Sequence, residues 1–215
     1  MKIKTLFHIF ISAIVLVVSV QTVSHAGPVS LGKPQFINNK QIMECLNKRS
    51  STRSFRHDPL PQPVLSGLLW AAFGVNRPQS GKRTAPSACN WQEIDIYVAM
   101  KEGLFVYAAQ SHSLEKVLDT DIRALTGKQS FTKDAPVVLI YVAGYDTMRG
   151  DAETKAFYAA TDTGFISQNV YLYCASEGLA TVVLGWVNKE KLHQAMKLTK
   201  EQHIMLTQPV GYPKK

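Results

Sequence analysis

The feature that most constrains the fold is an uninterrupted apolar run, Ala135-Pro136-Val137-Val138-Leu139-Ile140-Tyr141-Val142-Ala143. A strand that is apolar at every position is buried on both faces. The longest helical pattern follows at residues 151–177 and ends before Gly178, the residue type that commonly caps helices at their C-terminus. A second apolar run at 180–187 predicts another buried strand. Asn188 then predicts the N-cap of a short helix.

The remaining segments add helices and a hairpin around these strands. Residues 94–99 alternate with period two and predict a strand, and residues 104–107 predict its hairpin partner. Helices are expected at 40–48, 64–73 and 113–125, and the punctuated stretch 75–92 predicts a long functional loop. Together these elements predict an α+β sandwich, with a mixed central β-sheet flanked by helices.

The first 26 residues have the pattern of a secretory signal peptide. Lys2 and Lys4 precede an apolar run, and Ser24-His25-Ala26 places small residues at −3 and −1 of a cleavage point. We expect cleavage after Ala26, export to the periplasm or exterior, and a flexible arm over 27–39 before a single domain at 40–215. An uncleaved N-terminal membrane anchor is the alternative.

Charge and cysteine content exclude several classes of function. The chain has 24 Lys and Arg against 16 Asp and Glu, a net charge of +8. The excess is spread along the sequence, without the basic stripe interleaved with aromatics that nucleic-acid binding needs. The three cysteines have no CxxC spacing and the histidines are scattered, so neither a disulfide framework nor a metal site is predicted.

One run concentrates phosphate-binding chemistry: Arg49-Ser50-Ser51-Thr52-Arg53-Ser54-Phe55. Planar, permanently charged guanidinium groups beside small hydroxyl donors suit a phosphate monoester. Alone, the same run is also typical of a solvated surface loop.

Three further polar clusters decide between these interpretations. They are a donor-rich loop at 83–92, a polar interruption of the long helix at 161–169, and Leu184-Gly185 at the end of an apolar run. A glycine at a strand end lets a ligand approach the backbone closely. Together, the four clusters would suit a flat heteroaromatic ligand with a phosphate tail.

The order of these clusters resembles the FMN-dependent nitroreductase family, and within it the branch related to thiazole/oxazole dehydrogenases. The resemblance covers about residues 42–213. The motifs that carry it are the Arg49–Phe55 run, Arg83-Thr84-Ala85-Pro86-Ser87-Ala88, Ile96-Tyr97-Val98, Gly103-Leu104-Phe105-Val106-Tyr107, Asp162-Thr163-Gly164-Phe165-Ile166-Ser167-Gln168-Asn169, Glu177-Gly178-Leu179 and Val210-Gly211-Tyr212-Pro213.

This resemblance implies a nitroreductase-like fold and an interlocked homodimer with FMN at the subunit interface. By position, Arg49, Ser51 and Arg53, with Ser50 beside them, would hold the FMN phosphate. Pro86, Ser87 and Ala88 would line the isoalloxazine ring from the partner subunit, with Asn90 near the ring edge. The backbone of Leu184 and Gly185 would face the reactive edge of the flavin. No side chain is an evident catalytic residue. Arg83 is a candidate for the pyrimidine side of the flavin, with a phosphate contact or a surface contact as the alternatives.

The implied activity is transfer of hydride or electrons from NAD(P)H or another reduced donor to a small nitro or quinone acceptor, by a ping-pong scheme. A non-catalytic periplasmic flavin carrier and a peptide-oxidising dehydrogenase are the alternatives. Two departures from the family pattern stand out. The chain stops at Lys214-Lys215, where relatives supply further basic residues, and Leu184 replaces an acidic residue common in relatives.

Overall fold

The computed structural model describes residue 27, residues 29–32 and residues 42–214. The predicted signal peptide and most of the predicted arm lie outside the described residues. The strands are β1 (Val29–Ser30), β2 (Val75–Arg77), β3 (Lys82–Arg83), β4 (Ile94–Met100), β5 (Gly103–Ala108), β6 (Ser113–Leu118), β7 (Val137–Gly144), β8 (Ala180–Thr181) and β9 (Gln202–Gly211). The helices are α1 (Ile42–Lys48), α2 (Gln62–Phe73), α3 (Ala152–Glu177) and α4 (Lys189–Met196).

Seven strands form the central sheet in the order β1-β6-β5-β4-β7-β9-β8, and β2 and β3 form a separate hairpin. The predicted α+β class is confirmed. Among the described strands, each pairing within the sheet is antiparallel rather than part of a mixed pattern. This follows from the path of the chain, because α3, β8 and α4 return it to the end of the sheet where β7 finishes. Gln202 at the start of β9 therefore pairs with Gly144 at the end of β7.

Strand β7 lies between two apolar layers, as its sequence predicts. Successive side chains of a strand point to opposite faces of the sheet. Val137, Leu139, Tyr141 and Ala143 pack into the core on the side of α2 and α3. Val138, Ile140 and Val142 pack with Leu192 and Met196 of α4 on the other side.

The long helix α3 packs closely against α2. Tyr173 is buried and donates its hydroxyl to the Val64 carbonyl at 3.0 Å. A Cβ at Gly67 would lie 2.4 Å from that hydroxyl oxygen, so only glycine permits this approach. The contact fixes the rotation of α3, and therefore which of its side chains face the core.

Both ends of α3 match the prediction. The Asp151 carboxylate accepts a hydrogen bond from the Thr154 amide at 2.8 Å and caps the first turn. Gly178 ends the helix in the left-handed conformation, with φ of 69°. Among the described residues, no helix combines the length and apolar character needed to cross a bilayer.

The helix predicted at 113–125 is wrong. Its residues form β6, which pairs with β5, followed by a 3-10 turn at Arg123–Leu125. The apolar residues at 114, 117, 118 and 122 have helical spacing, but pairing with β5 and β1 satisfies the backbone groups and overrides that local pattern. The buried strand predicted at 180–187 is also shorter, since β8 is followed only by a single bridge between Leu184 and Thr207.

Candidate functional site

The Arg49–Phe55 run leaves α1 and is held by backbone hydrogen bonds at the edge of the sheet. The Arg49 amide donates to the Cys45 carbonyl at 2.8 Å, and the Thr52 amide donates to Thr181 of β8 at 2.9 Å. Phe55 is buried and forms a bridge with Pro213. With this backbone fixed, the side chains of Arg49, Ser50, Ser51 and Arg53 are exposed to solvent.

The C-terminal end of the chain lies beside the same run. The Lys214 amide donates to the Ser54 carbonyl at 3.2 Å, and the Lys214 side chain is exposed. A further basic residue is therefore adjacent to the two arginines.

Tyr171 of α3 joins this run to the segment that follows β8, a role that sequence reasoning missed. Its hydroxyl lies 2.8 Å from the Ser51 hydroxyl and accepts a hydrogen bond from the Val183 amide at 2.9 Å. The Arg49 guanidinium lies 5.3 Å from the centre of the Tyr171 ring, within cation–π range. A tyrosine in a long amphipathic helix looks like a core residue, and only its half-exposed position distinguishes it.

Leu184 and Gly185 differ in what their backbones offer. Leu184 is buried, and it exchanges two hydrogen bonds with Thr207, at 2.8 and 3.0 Å. Its amide and carbonyl are therefore both hydrogen-bonded within the sheet. Gly185 is exposed, its amide donates to no described residue, and a Cβ there would meet only the Leu206 side chain at 3.7 Å. The Gly185 amide is thus the donor in this pair that remains open to a ligand.

The loop from Pro86 to Gln92 has a strained backbone. Cys89, Asn90 and Gln92 all have left-handed conformations, with φ of 51°, 54° and 51°. Non-glycine residues in that region each cost on the order of 1 kcal/mol and persist where surrounding contacts hold them. Pro86 and Asn90 are exposed, and Ser87 and Ala88 are half-buried, so the loop presents part of its surface outward.

Three contacts hold this loop in place. The Ala88 amide donates to the Asp162 carboxylate of α3 at 2.8 Å. The Gln92 amide donates to the Ser87 hydroxyl at 3.0 Å, and the Arg83 guanidinium donates to the Gln92 side chain at 2.7 Å.

Arg83 packs beneath the loop, against the end of α2. Its guanidinium lies 4.6 Å from the centre of the Phe73 ring and donates to the Phe73 carbonyl at 3.3 Å. Burial lowers the pKa of Arg83, while the nearby Tyr107 and Asp95 act in the opposite direction. Arg83 therefore supports the loop from inside.

The Arg49–Phe55 run and the Pro86–Gln92 loop contact opposite sides of α3. The run meets the helix at Tyr171 and the loop meets it at Asp162, nine positions earlier. Nine residues correspond to about 13 Å along the axis and to two and a half turns, so the two side chains point in opposite directions. Within one chain, the two clusters are consequently not brought together around a common space.

The donor set at the first cluster matches the chemistry of a phosphorylated flavin. Two guanidinium groups and two hydroxyls stand exposed on a fixed backbone. Tyr171 links this backbone to Val183, two residues before the open Gly185 amide. Metal ligation has no comparable support, since the described residues contain no group of three His, Cys, Asp or Glu side chains arranged for it.

Comparisons with known proteins point to one family. A family model described as the nitroreductase family matches residues 46–212. A Methanocaldococcus jannaschii protein assigned as a nitroreductase is 33% identical over 186 residues, covering 81% of this chain and 92% of its own. A crystal structure from Ralstonia eutropha, likewise assigned as a nitroreductase, is 38% identical with a TM-score of 0.84, and the match covers 90% of this chain and 93% of that one.

A more distant structure has the same fold and carries a ligand. It is assigned as a nitroreductase from Desulfovibrio desulfuricans and was crystallised in complex with FMN. It is 17% identical, with a TM-score of 0.61, and the match covers 82% of this chain and 88% of that one.

Proposed function

The chain belongs to the nitroreductase family, and from that premise we propose that it is an FMN-dependent oxidoreductase. It would transfer hydride or electrons from a reduced donor to a small organic acceptor of the nitro or quinone type. The observation that carries the proposal is the exposed Arg49–Arg53 run. Tyr171 links this run by hydrogen bonds to Val183, two residues before the open Gly185 amide. The FMN bound by the Desulfovibrio desulfuricans structure supports the choice of cofactor.

The phosphate of FMN would bind to Arg49 and Arg53, with Ser50 and Ser51 as hydroxyl donors. Charge-assisted hydrogen bonds of this kind are about twice as strong as neutral ones. Because the backbone of the run is tied to β8 through Thr52, these donors hold their positions before the ligand arrives. Lys214 would add a further positive charge.

The flavin ring would lie between two subunits. The Gly185 amide of one subunit would face the ring, and Pro86, Ser87, Ala88 and Asn90 of the partner would cover it. The opposite orientation of Tyr171 and Asp162 on α3 supports this arrangement, because one chain does not bring both clusters to a single ligand.

Exposed apolar side chains on α1 and α3 support a dimer. Phe157 and Phe165 of α3 are 63% and 45% exposed, and Ile42 and Met43 of α1 are 57% and 69% exposed. Apolar surface of this extent on neighbouring helices is typical of a protein interface.

FMN would supply the hydride or electron transfer itself, as cofactors do in this class of enzyme. The protein would bind and orient it, and would leave one ring face open for donor and acceptor to occupy in turn. We assign no general acid, and protons would be delivered from solvent.

We further propose that the protein acts outside the cytosol, because of the signal peptide predicted at residues 1–26. The cytosolic NAD(P)H pool would then be out of reach, and a membrane quinol or a redox protein would be the physiological donor. NADPH remains a suitable laboratory reductant.

The proposal can be tested with purified protein that is incubated with FMN, desalted and examined by absorbance. Bound yellow cofactor that bleaches anaerobically with NADPH or a quinol, and regains colour with a nitroaromatic, is the expected result. Bound flavin that no donor reduces would instead indicate a flavin carrier. Absence of bound flavin would contradict the assignment.

A further inference from the structure

Glu93 is a buried carboxyl group without a partner that donates to it. It lies between the strained Pro86–Gln92 loop and β4, and it is 3% exposed. Neither of its carboxylate oxygens accepts a hydrogen bond from a described residue. Its backbone carbonyl accepts the Gly144 amide at 2.8 Å, which fixes the residue against the end of β7.

The group that acts on the Glu93 carboxyl is a second buried carboxyl, Asp162 of α3, which is 2% exposed. Asp162 accepts the Ala88 amide at 2.8 Å and so connects the acid pair to the loop. Two charged groups on neighbouring elements, Lys155 and Asp146, interact with other residues. Lys155 donates to the Tyr145 carbonyl at 2.8 Å, and the charge of Asp146 acts on Asp95.

Two buried carboxyl groups in contact cannot both ionise at low cost. Burial is the largest cause that raises the pKa of Glu93 from its ordinary value of 4.5 to about 7, and the charge of Asp162 and a hydrogen bond to it raise the pKa further. The backbone of Glu93 acts in the opposite direction. Near neutral pH, a substantial fraction of the protein thus keeps a proton on this pair.

We propose that Glu93 carries this proton and donates it to Asp162, and that the acid pair holds the Ala88 amide and the strained loop in place. Protonation gives Glu93 a hydroxyl that donates to Asp162, so one of the two orphaned carboxyl oxygens gains a partner. Asp162 then accepts hydrogen bonds from both Glu93 and the Ala88 amide. At 3% exposure Glu93 does not touch a ligand, so it is a positioning residue.

This inference rests on the proposed function, in which the loop covers the FMN ring. When Glu93 ionises, two like charges face each other in a buried site and the contact that supports Ala88 is weakened. FMN affinity is therefore expected to fall as the pH rises through about 7.

The test measures FMN binding by fluorescence quenching between pH 6 and pH 8.5 for the wild type and Glu93→Gln. The glutamine amide is a permanently neutral donor to Asp162. The wild type should bind FMN about tenfold more weakly at the upper pH, equivalent to a one-unit difference in pKa between free and bound protein. The FMN affinity of Glu93→Gln should change less than about twofold over the same range, because this variant lacks the ionisable carboxyl. The ionisation of FMN itself affects both proteins equally and cancels in the comparison.

Asp162→Asn gives a second readout, because asparagine can still accept from Ala88 but no longer repels ionised Glu93. It should lose most of the pH dependence as well. An equal pH dependence in all three proteins, or none in the wild type, would overturn the proposal.

Amide exchange of Ala88 in the FMN-free protein separates this inference from the cofactor assignment. Corrected for intrinsic rates, the wild-type amide should lose protection above pH 7, whereas Glu93→Gln should retain it. If neither the wild type nor any variant binds FMN at any pH, the proposed function is contradicted. The role of the acid pair is then tested by amide exchange alone. Ala88 protection that does not change with pH in the wild type would contradict that role.

Discussion

The two clusters that contact α3 are built on different physical principles. The Arg49–Arg53 run has an ordinary backbone pinned to β8, and its chemistry lies in exposed side chains. The Pro86–Gln92 loop has a strained backbone held from inside by Asp162 and Arg83. Substitutions that remove charge should therefore affect the Arg49–Arg53 run most. Substitutions that remove buried contacts should affect the Pro86–Gln92 loop most. The following predictions test that difference, from the largest expected effect to the smallest.

Complementation between subunits tests whether one ligand uses both clusters. In a co-expressed heterodimer of Arg53→Ala and Ala88→Trp chains, one site would carry both defects and the other neither. We expect about one FMN per heterodimer by absorbance, while each homodimeric variant binds little, because the proposed site combines groups from two chains. Retention of no FMN by the heterodimer would show that both clusters serve a ligand within one chain.

Loss of charge in the run should weaken FMN binding strongly without affecting the fold. Arg53→Ala should reduce FMN affinity by roughly 30- to 150-fold, the equivalent of about 2–3 kcal/mol for hydrogen bonds to a charged group. The thermal midpoint of the FMN-free protein should not change, since Arg53 is exposed. Arg149→Ala, another exposed arginine, is the matched control, and near-normal FMN retention by Arg53→Ala would refute the phosphate assignment.

Buried support of the loop should appear as pH-dependent stability. The pKa of Glu93 is raised on folding, so between pH 4.5 and about 7 the native state holds a proton that the unfolded state has released. The unfolding free energy should therefore fall as pH rises through that window and level off above it, by on the order of 1 kcal/mol after allowance for solvent screening. Chemical denaturation of wild type and Glu93→Gln would measure this, and equal slopes would argue against the raised pKa.

Tyr171 contacts the exposed Arg49–Arg53 run, and it supports that run through hydrogen bonds rather than through charge. Tyr171→Phe removes the contacts to Ser51 and Val183. It should lower the unfolding free energy by about 1 kcal/mol and FMN affinity by about fivefold. Tyr158→Phe is the control, as the Tyr158 hydroxyl hydrogen-bonds no described residue, and identical behaviour of the two variants would remove Tyr171 from the site.

The smallest effect is expected from Lys214. Its side chain is exposed, so Lys214→Ala should weaken FMN binding only about twofold, as is typical of a solvated charge pair. A loss as large as that of Arg53→Ala would mean that Lys214 is a main ligand of the phosphate. Lys133→Ala, also exposed, is the control.

The Arg49–Arg53 run could be picked out from the sequence because its chemistry is contiguous and needs no tertiary information. β7 and α3 were equally clear, since an unbroken apolar run and a capped amphipathic helix fold in the same way in most contexts. The predicted helix at 113–125 failed because its apolar spacing fits a helix, while the decisive contact is pairing with β5.

The acid pair could not be predicted in the same way. Glu93 and Asp162 meet only because α3 packs beside the loop, and nothing in the sequence near Glu93 indicates a partner. Asp162 did offer a signal, since an ionisable residue on the helix face shared by buried Ala159 and Ile166 requires compensation. Distinguishing Leu184 from Gly185 required the hydrogen bonds to Thr207, which depend on the register of β9.

The order of strands in the sheet has a practical consequence for handling this protein. β1 lies at one edge and β8 at the other, six strand spacings or about 29 Å apart. A purification tag or surface linker placed before β1 is therefore remote from the Arg49–Arg53 run. The same tag placed after Lys214 would begin beside Ser54 and compete with an anionic ligand for space. Immobilisation through the N-terminal side should thus preserve flavin binding, and immobilisation through the C-terminal side should reduce it.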